Sequence, residues 1–187
     1  TLQPVEWVTQ APPVRHTGVM NEPEPSHDLT ALTLDAQLLQ IAKEAAKSVA
    51  PYLRDVCRSK PEVETKADMH DPVTVHDKRV EKELLRYLSK AVPGSRFLGE
   101  ETGESLPRPE GPSPFEGEAA TLGERVRWVI DPIDGTANFA SGLIYFCTSI
   151  AVELDGKVVA GVVTVPMTRE CFLADSTNAW HIAADGT

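Results

Sequence analysis

Between Leu34 and Val56 an apolar residue returns every three or four positions: Leu34, Leu38, Ile41, Ala42, Ala45, Val49, Leu53 and Val56. That spacing predicts one long amphipathic helix of about six turns, with Thr33 as its N-cap, whose apolar stripe must be covered by something broad. Pro51 lies inside the stretch and is expected to bend the helix or end it early. A second helix is expected from near Thr74, with Val80, Leu84, Leu88 and Val92 on one side and Pro93-Gly94 as its stop. From Val126 the period changes. "VRWVI", "CTSIAVEL", "KVVAGVVTVP" and "ECFLAD" read as strands, and Asp155-Gly156 between the second and third is a two-residue hairpin signal. Two long helices followed by such a run predict an α+β domain, the helices packed on an antiparallel sheet.

The segments between are less regular. Residues 1–30, with Pro4, Pro12, Pro13, Pro23 and Pro25, read as a flexible arm carrying one apolar cluster, Val5-Trp7-Val8. "VETKADMHDPVTVHD" (63–77) reads as a polar hairpin. "RFLGEE" is a short strand, and Thr102 to about Glu124, dense in Pro, Gly and Glu, is expected to be a long loop. "NAWHIAADGT" at the end reads as a closing hairpin that contains His181.

Composition narrows the function. A net charge of −10 argues against nucleic acid as the main partner, because phosphate neutralisation needs clustered Lys and Arg. No run is long and apolar enough for a membrane span. Cys57, Cys147 and Cys171 are odd in number and widely spaced, which points to buried thiols in a reducing cytoplasm rather than to disulfides or a zinc knuckle.

"RWVIDPIDGT" (127–136) carries the chemistry. An Asp-Pro and an Asp-Gly after an apolar strand make a good turn, but a turn alone does not explain two acidic groups there. An aspartyl nucleophile of the haloacid-dehalogenase type needs D-x-D, and the spacing here is D-x-x-D. A site for a hard cation such as Mg²⁺ fits better. Asp131 can bridge two ions and Asp134 can complete one of them, while Gly135 lets the backbone approach a bound anion. Further acidic ligands are needed for metal-assisted ester hydrolysis, and Glu100 or Glu101 at the end of "FLGEE" can supply one. Adjacent strand residues point oppositely, so one of the two faces the site. Asp77, in the first turn of the second helix, is placed to accept a hydrogen bond from Thr136. His70 and His76 read as a solvated pair at the helix start, since Mg²⁺ prefers oxygen. Trp128 reads as core.

"DPVTVHD" (71–77), "FLGEE" (97–101) and "WVIDPIDGTANF" (128–139), in that order and spacing, resemble the inositol monophosphatase family of Mg²⁺-dependent, lithium-sensitive phosphatases. The resemblance covers Leu34 to Thr187. It implies the N-terminal half of a layered αβαβα fold and two or three Mg²⁺ ions. Glu100, Asp131 and the Ile133 carbonyl would hold the first ion, and Asp131 with Asp134 the second. Backbone N–H groups of Gly135 and Thr136 would meet the phosphate. Thr136, bonded to Asp77, would help Glu100 prepare the attacking water, with no covalent phosphoenzyme. Lys66 and Asp71 match a loop that approaches the metals in this family. The implied activity is hydrolysis of inositol 1-phosphate or a similar small polyol phosphate by a cytoplasmic homodimer. Histidinol-phosphate hydrolysis is one alternative and a non-catalytic interaction protein keeping the fold is another. The family's second signature, Trp-Asp followed by two alanines and a glycine, lies well downstream of the first. "WHIAADG" (180–186) has His181 where that aspartate belongs, so the expectation is a chain carrying the N-terminal α+β half (residues 31–187) without the C-terminal α/β half.

Overall fold

The computed structural model describes residues 32–59, 63–65, 72–105 and 118–185. The first expected helix forms as α1, Leu34–Ser59, with Ala36 N–H reaching Thr33 Oγ1 at 3.4 Å as the N-cap reading requires. It does not stop at Pro51. The proline is exposed, while Val49, Ala50 and Leu53 around it are buried, and that packing carries the helix through the lost backbone bond. The polar hairpin forms as an antiparallel pair, β1 (Val63–Thr65) and β2 (Pro72–Thr74). Helix α2 follows at once, Val75–Ala91.

The remaining strands make one seven-stranded sheet. In chain order they are β3 (Arg96–Gly99), β4 (Gly103–Ser105), β5 (Val126–Asp134), β6 (Cys147–Leu154), β7 (Lys157–Val165), β8 (Glu170–Asp175) and β9 (Ala179–Ile182). Across the sheet they lie in the order β4-β3-β5-β6-β7-β8-β9. The α+β expectation holds, with a correction to the sheet: β3 and β5 run parallel, and every other neighbouring pair is antiparallel. A parallel neighbour needs a long crossover. The stretch expected to be bare loop supplies it, and the described part of that stretch contains β4 and a helix, α3 (Glu118–Arg125). A short helix, α4 (Thr136–Ala140), follows β5.

The apolar stripes of α1 and α2 meet one face of the sheet. Leu38, Leu53, Leu84 and Leu88 interlock there with Phe97, Trp128, Ile150 and Val162, all but sealed from solvent. Trp128 is core, as expected, and its indole N–H donates to Ser95 Oγ at 3.0 Å. The β6–β7 turn has positive φ at both Asp155 (53°) and Gly156 (76°), the geometry that the Asp-Gly signal announced. The last strand pairs with β8 as the closing hairpin; His181 stacks on Phe172 and its Nε2 lies 3.1 Å from Glu170. The expected arm and its Val5-Trp7-Val8 cluster lie outside the described residues, as do His70, Lys66 and Asp71.

Candidate metal and phosphate site

The site begins with a fault in the strand pairing. Along β5, Asp131 pairs with Ser149 and Asp134 with Cys147, so β5 uses one more residue than β6 over this interval. In a regular strand, residues three apart face opposite sides. The one-residue bulge cancels that inversion and puts both carboxylates on the same side. Its spare backbone is tied down where Thr148 Oγ1 donates to the Pro132 carbonyl at 2.9 Å, in a buried position. Ile133 points inward and is fully buried, which anchors the bulge to the core.

Gly135 then turns the chain. Its φ is +91°, and a Cβ there would stand 3.0 Å from the Tyr145 carbonyl oxygen, so both conformation and space demand glycine. Thr136 opens α4. Its hydroxyl lies 2.9 Å from the Ile133 carbonyl oxygen and 3.3 Å from Asp77 Oδ1, sharing its proton between them. The expected Asp77–Thr136 pair is therefore present, with Asp77 almost completely buried at the start of α2. The Ile133 carbonyl faces the Thr136 hydroxyl.

Glu100 arrives from the other side. Its N–H donates to the Ile130 carbonyl at 3.2 Å, which keeps the end of β3 against β5. The two adjacent glutamates separate as expected: Glu100 stands exposed beside Asp131, while the Glu101 N–H turns toward α2 and donates to Glu81 Oε2 at 2.9 Å. Burial first, then the charge and hydrogen bonding of Glu100, then Asp134, push the Asp131 carboxyl from an ordinary 3.8 up to about 7.

Two residues near this site were not read as part of it from the sequence. Cys147 Sγ lies 3.6 Å from Asp134 Oδ2; burial and the neighbouring aspartates push its thiol up to about 12. Glu81 is fully buried, four residues after Asp77 on α2. Its signal was legible: position 81 falls inside the helical stripe of Val80, Leu84 and Leu88, where a carboxylate is out of place. One histidine reading is corrected. His76 is half-buried, not solvated: Tyr52 Oη and its Nδ1 are 2.6 Å apart, and the ring meets Phe139 edge-on. Its aromatic neighbours come from two helices, Tyr52 from α1 and Phe139 from α4.

Comparison with known proteins agrees with this geometry. A family model described as "Inositol monophosphatase family" matches residues 34–181. The chain belongs to the inositol monophosphatase family. Inositol monophosphatase 3 of Solanum lycopersicum is 35% identical over 136 residues, covering 73% of this chain and 46% of that protein. The Nus factor SuhB of Haemophilus influenzae is 33% identical over 138 residues, 73% of this chain and 46% of that one. Among solved structures, the extragenic suppressor protein suhB of Bartonella henselae superposes with a TM-score of 0.63 at 32% identity, over 77% of this chain and 50% of that chain. The chain thus spans about half the length of the family members it matches.

The residues present fit a divalent cation. Asp131 Oδ1 is buried without a hydrogen-bond partner among the described residues, an orphan acceptor of the kind a hard cation satisfies. Its neighbours are carboxylates, whose repulsion a cation relieves. The described His, Cys, Asp and Glu side chains are not already drawn together in threes around a metal position. Glu100 lies within hydrogen-bonding reach of Asp131, and Asp134 acts on the same carboxyl through its charge.

Proposed function

We propose that this chain carries the metal- and phosphate-binding part of a Mg²⁺-dependent phosphomonoesterase acting on inositol 1-phosphate or a similar small polyol phosphate. The observation that carries the reading is the β5 bulge, which sets Asp131 and Asp134 on one side, beside Glu100, with Thr136 already bonded to Asp77. Glu100, Asp131, Asp134 and the Ile133 carbonyl are the oxygens that would hold two or three Mg²⁺ ions. Bound there, the ions supply Lewis acidity and lower the pKa of water.

The protein's own contributions follow from its geometry. Gly135, with no side chain, lets the phosphate approach the backbone, and the first N–H groups of α4 lack helical acceptors, leaving donors for phosphate oxygens. Asp77 fixes the Thr136 hydroxyl, and with it a water placed between Thr136 and Glu100 for in-line attack. Glu100, more exposed than Asp131, is the carboxylate that takes the proton from that water. Lys66 and Asp71 belong to the segment proposed to approach the same ions. The catalytic half-site is proposed to work with further residues on the side that faces the substrate's alcohol. Three free thiols fit a reducing cytoplasm, and homodimerisation is testable by light scattering.

Phosphate release from inositol 1-phosphate and from histidinol phosphate, with Mg²⁺ and with chelator, tests the reading. Chelator-sensitive release, abolished by Asp134→Asn, is expected, and the preferred substrate decides between the polyol and histidinol branches. Release that survives both chelator and Asp134→Asn would sink the ligand assignment. A second reading has one specific support, the similarity to a protein named as a Nus factor. In that reading the fold serves as a binding module, and capture of its macromolecular partner would be indifferent to Mg²⁺ and to Asp134→Asn.

A further inference from the structure

Glu81 is the one fully buried carboxylate of α2 that the reaction above leaves without a task. Its residue exposure is 0%, Oε2 accepts the Glu101 N–H at 2.9 Å, and Oε1 has no hydrogen-bond partner among the described residues. Burying a carboxylate costs more than one backbone hydrogen bond returns, so stability does not account for its presence. The chain nevertheless makes room for it. A Cβ on Gly99 would lie 2.6 Å from Glu81 Cδ and Oε2 and 2.7 Å from Oε1. Gly99 does not have a positive φ, so glycine is needed there for space and not for conformation. The carboxylate is thus seated directly against the backbone of the segment that presents Glu100.

That segment is clamped from two sides. The sheet holds it through Glu100 N–H on the Ile130 carbonyl, and the helix holds it through Glu101 N–H on Glu81. Glu100 is exposed, and its carboxylate lies within hydrogen-bonding reach of Asp131. Without the second clamp the turn is free to swing its carboxylate toward solvent. We propose that Glu81 is a positioning residue of the metal site: by accepting the Glu101 N–H in the space left by Gly99, it locks the Gly99–Glu101 turn and holds the Glu100 carboxylate over Asp131. With Asp77 one helical turn earlier, α2 then presents two buried carboxylates that never touch the substrate: one orients Thr136, the other Glu100. This inference rests on the metal-site reading.

The test is binding of Mn²⁺ alone, followed by electron paramagnetic resonance without substrate, alongside melting of the metal-free proteins. Glu81→Leu should weaken Mn²⁺ binding on the order of tenfold, the usual effect of removing a group that orients a ligand. Its metal-free melting temperature should not fall in proportion, since an apolar group replaces a buried charge. Glu81→Gln keeps an acceptor for Glu101 N–H and should bind Mn²⁺ within about threefold of wild type. Gly99→Ala, which retains Glu81 but drives a methyl into its carboxylate, should mimic Glu81→Leu and serves where that variant does not fold. Wild-type affinity in both Glu81→Leu and Gly99→Ala would overturn the proposal. So would a Glu81→Gln as weak as Glu81→Leu, which would assign the effect to charge and not to the hydrogen bond. No Mn²⁺ binding by wild type would remove the metal-site reading itself, and this role with it, an outcome distinct from the other two.

Discussion

Asp131→Asn is expected to make the metal-free protein more stable while ending its turnover. In the native state the Asp131 carboxyl titrates near 7 against an ordinary 3.8, the result of burial, of Glu100 and of Asp134. At about 1.4 kcal/mol per pH unit that gap sets a ceiling of about 4 kcal/mol on the cost of ionising it in the folded chain. Asp131 is only half-buried, and solvent screening brings the figure to about 1–2 kcal/mol. The sign follows from proton binding. Between pH 4 and 7 the folded chain holds a proton that the unfolded chain has released, so wild-type stability declines as pH rises through that window and the full penalty is present above it. Asn carries no such penalty. Urea unfolding in chelator should therefore show Asp131→Asn level with wild type near pH 3.5 and ahead by about 1–2 kcal/mol at pH 8. Saturating Mg²⁺ should cancel or reverse the gap, because only wild type gains binding energy. A variant less stable than wild type at pH 8 in chelator, or a gap of the same size at both pH values, would refute the account of a carboxylate held in place against its neighbours.

Thr136→Ala removes the hydroxyl shared by Asp77 and the Ile133 carbonyl; kcat should fall on the order of 100-fold, and Thr136→Ser should restore most of it in steady-state assays. Gly135→Ala places a Cβ at a φ of +91° and 3.0 Å from the Tyr145 carbonyl oxygen, and thermal melts should show a loss of about 1–3 kcal/mol. Cys147, its thiol pushed up to about 12, should resist iodoacetamide at pH 8 in the native protein and react at the unfolded rate in urea, as read by peptide mass spectrometry.

How far the fold could be read from the chain varies with the range of the forces involved. Helices α1 and α2, the Asp155-Gly156 hairpin and strands β5 to β8 were legible because each is written in local periodicity or turn chemistry. The parallel β3–β5 pair was not, since strand neighbours are chosen by crossover and packing and leave no local mark. Pro51 misled for a related reason: a residue's own helix cost is local, whereas the burial of Val49, Ala50 and Leu53 that overrides it is tertiary.

The site divides along the same line. Sequence by itself determined which groups are available: two aspartates three apart, a glycine and a threonine after them, a glutamate pair at a strand end, an aspartate in a helix's first turn. Only the tertiary structure decided what they do together. It placed the extra β5 residue that turns Asp131 and Asp134 to one side, brought Asp77 to Thr136 across 59 positions, and seated Glu81 under the turn of Glu100. Register, burial and contact between distant segments are properties of the packed chain, and they turn a list of carboxylates into a site.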